Sequence, residues 1–201
     1  SREIDRTINN KNNKITIKQT WLNNGLLSSK ETLQNNTTVK KEVYSYDNRN
    51  RLVEYTVTGK EAPIMYGNTL SKQSYTYDVL NNITKVVTTH TDNTSNIASY
   101  KYNNANDINQ LTSVEHTHKS YPPVVTLKYD SEGRMIKDNK GRELSYDILG
   151  RLMTIKSEKS NSKYEYDATN RLTTQTINDN KKTLLFYRGE ELVNEVDTNI
   201  N

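Results

Sequence analysis

One short motif recurs along the chain and constrains its fold more than any other feature. The motif reads Tyr-Asp, two variable residues, Gly or Asn, then Arg-Leu, and a Tyr or Leu stands two positions before its Tyr. Three stretches match at every one of these positions, namely residues 46–52, 146–152 and 166–172. Self-similarity of this kind is the signature of a repeat architecture.

Weaker copies fill the intervals between the full ones. Residues 77–83 have Asn in place of Arg, and residues 129–135 end in Met in place of Leu. Residues 102–111 add three residues to the turn, and residues 187–189 keep the Tyr but lose the Asp. Successive motif tyrosines are 25–31 residues apart early in the chain and 17–21 apart later.

Each motif position suits a β-hairpin. Side chains alternate along a strand, so both rings of Tyr-x-Tyr lie on one face. An Asp at the strand end accepts hydrogen bonds from the next backbone amides, the variable pair forms a type I turn, and Gly or Asn takes the left-handed conformation beside a bulge. Arg and Leu begin the returning strand. In the first copy Val53, Tyr55 and Val57 then share a face, and the sequence leaves open which face is buried.

A lone hairpin of this size is not stable in water, so the units must pair with their neighbours. We therefore predict an all-β fold in which consecutive antiparallel hairpins form one long sheet that curves as its twist accumulates. Residues 1–40 show only traces of strands, and we expect lead-in strands of a degenerate repeat there. Residues 41–201 are the repeat region proper, continuous with that lead-in.

The motif positions are the residues that we expect to build this structure. The aspartates are expected to cap turns rather than bind calcium or act as catalytic carboxylates, because one Asp per turn gives no convergent set of ligands. The tyrosines are expected to pack rather than stack on sugars, and the arginines to pair with a neighbouring carboxylate rather than bind a substrate. The positions are Tyr44, Tyr46, Asp47, Arg51, Leu52, Tyr75, Tyr77, Asp78, Tyr100, Tyr102, Tyr129, Asp130, Gly133, Arg134, Tyr146, Asp147, Gly150, Arg151, Leu152, Tyr164, Tyr166, Asp167, Asn170, Arg171 and Leu172.

Composition agrees with a thin structure rather than a deep core. Leu, Ile, Val and Phe make up only about a fifth of the chain, whereas there are 14 Tyr beside one Trp and one Phe. The net charge is +4, but basic residues alternate with acidic ones along the chain, which argues against binding nucleic acid. The absence of Cys excludes disulfides, thiolate metal sites and cysteine catalysis.

Few residues outside the repeat carry a chemical signal. His116 and His118 would share a strand face and can be read as two metal ligands, but Glu115 points the other way, so exposed strand histidines are the preferred interpretation. Tyr121-Pro122-Pro123 is expected to break a strand. The sequence has no phosphate-binding loop or nucleophile elbow, and we expect neither a cofactor nor an enzyme.

The repeats resemble the YD repeats of the RHS family, which includes bacterial polymorphic toxins, C-type subunits of insecticidal toxin complexes, wall-associated proteins and animal teneurins. The resemblance covers residues 41–196, and residues 184–196 are most similar to the insecticidal-complex branch. It implies a spiralling sheet that forms a hollow cocoon around a C-terminal effector, which a pore-forming partner translocates. The family's self-cleaving aspartyl segment has no counterpart here, since the chain contains no Asp-Pro dipeptide.

We accordingly expect a structural scaffold, a fragment of a shell whose partners are the rest of that shell and its effector. The alternative is a surface module that binds glycans or a partner protein through exposed Tyr and Arg. No apolar run is long enough to span a bilayer, and the chain begins at Ser1 without a signal peptide, so it reads as an internal fragment of a secreted or cell-surface bacterial protein.

Overall fold

All regular structure in the chain is β-strand. A computed structural model describes residues 2–10 and 13–199, and it contains no helix among them. It therefore contains no helix there that is long and apolar enough to cross a membrane. The strands are β1 (Arg2–Asn10), β2 (Asn13–Trp21), β3 (Leu27–Gln34), β4 (Thr37–Tyr46), β5 (Leu52–Thr58), β6 (Ile64–Met65), β7 (Asn68–Tyr77), β8 (Ile83–His90), β9 (Ser95–Lys101), β10 (Ser113–His116), β11 (Val124–Thr126), β12 (Lys128–Tyr129), β13 (Met135–Lys137), β14 (Glu143–Tyr146), β15 (Leu152–Lys156), β16 (Asn161–Tyr166), β17 (Leu172–Ile177), β18 (Lys181–Arg188) and β19 (Glu191–Asn199).

The strands form two antiparallel sheets that follow the order of the chain. The first sheet contains β1 to β11, with β6 attached to β7 beside the main path, and the second contains β12 to β19. The predicted all-β fold of consecutive antiparallel hairpins is confirmed. The sequence did not predict the division into two sheets, which follows Pro122-Pro123 and the three-residue strand β11. Proline lacks the N–H that a central strand needs, so this is where a ladder is easily interrupted.

The described residues also divide into two compact units. The first unit consists of the chain up to Asn103 together with Ile108–Val124. The second consists of Asn104–Asp107 together with the chain from Val125. The lead-in region expected over residues 1–40 supplies β1 to β3 and the first residues of β4, all within the first sheet. Because β4 crosses from the lead-in into the first full repeat, we keep the proposal that 1–40 and 41–201 form one array.

In five Tyr-Asp copies of the motif, the tyrosine lies at an irregularity in its hairpin. The strand register shifts at the pairs Tyr46–Leu52, Tyr77–Ile83, Tyr129–Met135, Tyr146–Leu152 and Tyr166–Leu172. The residue before the returning Arg or Asn has a positive φ at Asn50, Asn81, Gly133, Gly150 and Asn170. Left-handed backbone beside a one-residue bulge is the geometry of a three-residue hairpin loop.

Fully buried apolar side chains occur only in the first unit of the described structure. Val57, Ala62 and Leu70 form a cluster on which Tyr55 and Met65 pack. The face that carries Tyr55 and Val57 is therefore the buried one in the first repeat, which the sequence had left open. The complete set of buried apolar side chains is Val39, Val57, Ala62, Leu70, Val86, Ala98, Val114 and Tyr121.

The second unit has no comparable core. Among its described residues the fully buried side chains are Asp138 and Thr174, both polar. The majority of its strand positions are half-buried and most of the others are exposed, as expected for a single layer of sheet. Apolar burial alone cannot supply the stability of such a layer, so the contacts within and between its turns must contribute a large share.

Candidate functional site

The aspartate of each full motif closes its own turn. In the first repeat Asp47 Oδ1 accepts hydrogen bonds from the backbone N–H groups of Arg49 (2.8 Å) and Arg51 (3.0 Å). Its Oδ2 accepts a third from the Arg51 Nε at 2.7 Å. Both carboxylate oxygens are thus used within the turn, and the Arg side chain is fixed beside it. We call this arrangement the Asp–Arg clasp.

The clasp repeats with nearly constant geometry. The Nε–Oδ2 distance is 2.6–2.7 Å in the pairs Asp130–Arg134, Asp138–Arg142, Asp147–Arg151 and Asp167–Arg171. In the turn where Asn replaces Arg, the Asn82 side-chain amide donates to Asp78 Oδ2 at 3.0 Å. Asn82 therefore preserves the hydrogen bond of the clasp without the charge. It also donates to Asn109 Oδ1 at 3.2 Å, which ties this turn to the next one.

These hydrogen bonds favour the ionised form of the aspartates. The backbone N–H of Arg51, followed by its guanidinium, lowers the pKa of Asp47 below the usual value. At Asp147 partial burial raises the pKa, but the Arg151 backbone N–H and guanidinium outweigh that effect and the net pKa is lowered. The carboxylates consequently stay charged and paired through the whole neutral and mildly acidic range.

Each clasp arginine of a Tyr-Asp motif also reaches the following repeat. The guanidinium of Arg51 lies 4.6 Å from the centroid of the Tyr77 ring, and its Nη1 donates to the Asp78 carbonyl at 3.3 Å. The Tyr77 hydroxyl donates in the opposite direction, to the Leu52 carbonyl, at 2.6 Å. A cation–π contact and two hydrogen bonds of opposite direction thus join adjacent hairpins. We call this set the inter-repeat link.

Inter-repeat links continue through the second unit, complete for Tyr146 and Tyr166 and without the hydroxyl bond for Tyr187 among the described residues. The guanidinium-to-ring distances are 5.1 Å for Arg134 on Tyr146, 5.0 Å for Arg151 on Tyr166 and 5.2 Å for Arg171 on Tyr187. The Nη1 atoms of these arginines donate to the carbonyls of Asp147, Asp167 and Gly189. Where the preceding repeat has no Arg at the motif position, the tyrosine still makes its own hydrogen bond to that repeat. The Tyr46 hydroxyl donates to the Leu27 carbonyl, and the Tyr102 hydroxyl donates to the Ile83 carbonyl.

The first tyrosine of each Tyr-x-Tyr pair has a different environment. Tyr44 and Tyr55 are cross-strand neighbours with ring centroids 5.4 Å apart, and the Tyr55 hydroxyl donates to Glu42 Oε1 at 2.9 Å. Burial, followed by the negative charge of Glu42, raises the pKa of Tyr44 to about 12. The Tyr75 hydroxyl donates to Gln73 Oε1. These rings, like those of Tyr100 and Tyr164, are half-buried packing groups rather than open platforms.

The sequence motif did not predict one of the clasps. Asp138 and Arg142 were not assigned to the motif because the position before Asp138 is Lys137 rather than Tyr. The spacing Asp-x-x-Gly-Arg was the signal that could have found them. In a sheet of consecutive antiparallel strands, successive turns alternate between the two ends of the strands. The Asp138 turn therefore lies at the opposite end of the strands from the Asp130 and Asp147 turns.

The two candidate metal ligands are not placed as the sequence indicated. His116 and His118 are half-buried, so the interpretation as exposed strand histidines is wrong. The Nδ1 atoms of both rings face donors, the Asn96 side-chain amide at 3.0 Å and the Ser120 backbone N–H at 3.2 Å. Within the part of the chain that the structure describes, no three His, Asp or Glu side chains are grouped so that they could hold a metal ion.

Comparisons with known proteins identify relatives of this repeat structure. A family profile described as Teneurin YD-shell matches residues 2–196. The crystal structure of TcdB2-TccC3-Cdc42 matches with a TM-score of 0.59 at 13% identity, and that of TcdB2-TccC3 without its hypervariable C-terminal region with 0.57 at 14%. Each match covers 92% of this chain but only 11% of the other, so the chain spans about a ninth of those chains. No curated protein sequence matches the chain.

Proposed function

The chain belongs to the Teneurin YD-shell family, and we propose that it forms part of the wall of a hollow shell that encloses a C-terminal effector. The family and the fold establish a shell-type scaffold. The enclosed effector, the rest of the shell and a pore-forming translocation partner are what the RHS resemblance adds. We infer that the whole protein is secreted or displayed at a cell surface, and that this segment is not catalytic.

The observation that carries the proposal is the single layer of the second unit. Its stabilising groups are the clasps, which close each turn, and the inter-repeat links, which join one hairpin to the next. Among the described residues of this unit, no second layer of strands and no helix covers either face of the sheet. A wall needs this construction, because it must be strong in its own plane while both faces remain available, one to the contents and one to the outside.

Protease protection tests the proposal on the full protein that contains this chain. We expect the region after the repeats to resist protease while the shell is intact and to be cleaved after the double substitution Arg151→Ala and Tyr166→Ala opens the wall. The single substitution Arg188→Ala is a matched control, because its side chain is 82% exposed and makes no inter-repeat link in the described structure. Equal cleavage of the downstream region in the unsubstituted protein, or a gene with no downstream region, would contradict the proposal.

A second candidate function, binding of an anionic glycan, is favoured by one feature of the second unit. Lys137, Lys140, Arg142 and Lys159 line an open groove of about 610 Å³, in which Glu158 is the one acidic lining residue among those described. The Arg142 guanidinium bonds to Asp138 but to no other described residue, because the neighbouring turn at residues 157–160 supplies no tyrosine. The Arg142 side chain is 42% exposed, compared with 25% for Arg151.

A guanidinium with open Nη donors, surrounded by ammonium groups, fits the sulfate or carboxylate groups of an acidic polysaccharide. Titration with a heparin oligosaccharide checks this, with Arg142→Gln expected to weaken binding at least about fivefold. The control is Arg49→Gln, which removes the same charge from a turn of the first unit. Equal loss in both variants would mean that only the net charge attracts the polymer, and would remove the groove as a site.

A further inference from the structure

All three histidines of the chain lie in one cluster in the first unit. His90 ends β8, His116 ends β10, and His118 follows in the loop that leads to Tyr121. The His90 side chain is 1% exposed and Tyr121 is also buried. Ring centroids are 5.3 Å apart for His90 and His118 and 5.2 Å apart for His116 and Tyr121. Three imidazoles, the side chains that change charge near neutral pH, therefore share one packed site.

The hydrogen bonds of Asn96 require His116 to be neutral. Asn96 Oδ1 accepts from the backbone N–H groups of Thr117 (3.2 Å) and His118 (3.1 Å), which fixes the orientation of its amide. The Nδ2 of Asn96 therefore faces His116 Nδ1 at 3.0 Å as a donor, and the imidazole nitrogen has to accept. A proton on Nδ1 would set two donors against each other.

His118 is held in the same way by the backbone itself. The Ser120 N–H donates to His118 Nδ1 at 3.2 Å, and a backbone amide cannot reverse its role. The Ser120 bond closes the turn within the loop, and the Asn96 bond joins His116 to β9. Both bonds need acceptor nitrogens that exist only in the unprotonated rings. Asn96 Oδ1, which ties Thr117 and His118 to β9, therefore keeps its orientation only while His116 Nδ1 can accept from the same amide.

His90 lies at the centre of a directed chain of hydrogen bonds. The Thr94 hydroxyl donates to Asp92 Oδ1 at 2.7 Å, so its oxygen accepts from His90 Nδ1 at 3.0 Å. With Nδ1 protonated, the neutral ring accepts from the Tyr121 hydroxyl at Nε2, 3.1 Å away. This chain anchors Tyr121, the residue just before Pro122, to β8. A second proton on His90 would force the Tyr121 hydroxyl to reverse.

We propose that this cluster is an acid-sensitive latch, which holds the loop at residues 117–123 against the first sheet while the imidazoles are neutral and releases it when they take up protons. Protonation removes the bonds from Asn96 to His116 and from Ser120 to His118, so the Asn96 amide no longer has a reason to present its oxygen to the loop N–H groups. It also introduces like charges about 5 Å apart. Release exposes the Tyr121 ring and frees the connection from β10 to β11, which is the strand that ends the first sheet.

The charged groups around the cluster cannot balance that accumulation of positive charge. Asp92 is linked to His90 through Thr94, and one carboxylate offsets at most one of three imidazolium charges. Glu115 and Lys119, the charged neighbours on β10 and the loop, are both exposed and opposite in sign. Tyr66, whose ring centroid is 4.4 Å from that of Tyr121, completes the packing as a neutral group. Burial lowers the pKa of His116, which agrees with a site built for the neutral ring.

Hydrogen–deuterium exchange by mass spectrometry tests the latch on the full chain. Exchange is compared between about pH 7.5 and pH 5, with times corrected for the intrinsic rate. We expect peptides covering residues 84–123 to exchange at least about tenfold faster at the lower pH, because a proton on His116 Nδ1 opposes the Asn96 amide that holds the loop. The second unit contains no His, so peptides from residues 128–199 serve as the internal control.

Two variants separate the latch from general acid sensitivity. The double substitution His116→Asn and His118→Asn keeps an acceptor oxygen near each Nδ1 position but cannot titrate, so the acid response should disappear. Asn96→Asp leaves an oxygen for the two backbone amides and gives protonated His116 a carboxylate, so the response should shrink. The latch is wrong if residues 84–123 respond no more than residues 128–199, or if the double variant retains the unsubstituted protein's response.

Discussion

The Arg151 guanidinium lies over the Tyr166 ring at 5.0 Å from its centroid, while the Tyr166 hydroxyl donates to the carbonyl of Leu152, the residue after that arginine. Arg and Tyr of adjacent hairpins thus hold each other through different atoms. The same pairing of roles recurs at Arg51 with Tyr77 and at Arg134 with Tyr146. Within one motif the Tyr therefore contacts the previous repeat, and the Arg contacts the next.

The hydroxyl half of the link can be removed without disturbing the ring. Tyr166→Phe should lower the free energy of unfolding by about 1 kcal/mol, because the Leu152 carbonyl loses its side-chain donor. That loss corresponds to a fall in melting temperature of about 2–4 °C, measurable by calorimetry. The control is Tyr187→Phe, in which Arg171 lies over the ring but the hydroxyl has no hydrogen bond to a described residue. A loss as large in the control would mean that the hydroxyl bond is not the cause.

The guanidinium half depends on geometry rather than on charge. Arg151 Nε bonds to Asp147, while its Nη1 bonds to the Asp167 carbonyl and to Asn170 Oδ1. Arg151→Lys keeps the charge but replaces a planar fork by a single nitrogen, so we expect a loss of about 1–2 kcal/mol in chemical denaturation. Arg188→Lys, at an exposed position, should change stability by less than about 0.5 kcal/mol. Equal effects of the two substitutions would contradict the link.

Gly59 fits a position where no side chain can be placed. Its φ is +108°, and a Cβ would lie 2.3 Å from the Val39 carbonyl oxygen. Gly59→Ala should therefore destabilise the first unit by at least about 2 kcal/mol, from backbone strain and displacement of β4 together. Gly189→Ala is the matched control, since its φ is also positive but a Cβ there meets nothing within 4 Å. Thermal unfolding of both variants measures the difference, and similar losses would disprove the close approach to Val39.

The pH dependence of the clasp has a definite sign. The net pKa of Asp147 is lowered in the folded protein, so the stability from its pairing is complete above the unfolded value of about 3.9 and is lost as pH falls through the folded value. Asp147→Asn should therefore be less stable than the unsubstituted protein at pH 7, and the two denaturation midpoints should converge below about pH 4. A difference that persists unchanged at the lowest pH would show that the ion pair contributes nothing.

The sequence predicted the fold well because the hairpin is a local structure. Asp47 and Arg51 are four residues apart, and the turn between them is specified by Asn50, which takes the left-handed conformation. The hydrogen bonds that close such a turn involve only its own residues. For this reason the all-β architecture and the position of the motif turns followed from one motif.

The contacts between distant residues were outside the reach of that reasoning. His90 bonds to Tyr121 across 31 positions, and only the pairing of β8, β9 and β10 brings the three histidines together. Likewise, the partner of Arg51 is Tyr77 in the next hairpin, whereas the sequence suggested only a nearby carboxylate. These contacts depend on which repeats are neighbours in the sheet and on which end of the strands each turn lies at. Asp138 is an example of the effect of turn position, since its turn lies at the opposite end of the strands and Lys137 stands there in place of the motif tyrosine.

Links that involve only adjacent hairpins leave the length of the sheet unconstrained. Whole hairpins can be inserted or deleted in the second unit if each newcomer brings its own Tyr, Asp and Arg, because no central core has to be repacked around it. Such an array can grow by duplication of a single gene segment of about 20 codons, and the capacity of whatever it builds then scales with the number of copies.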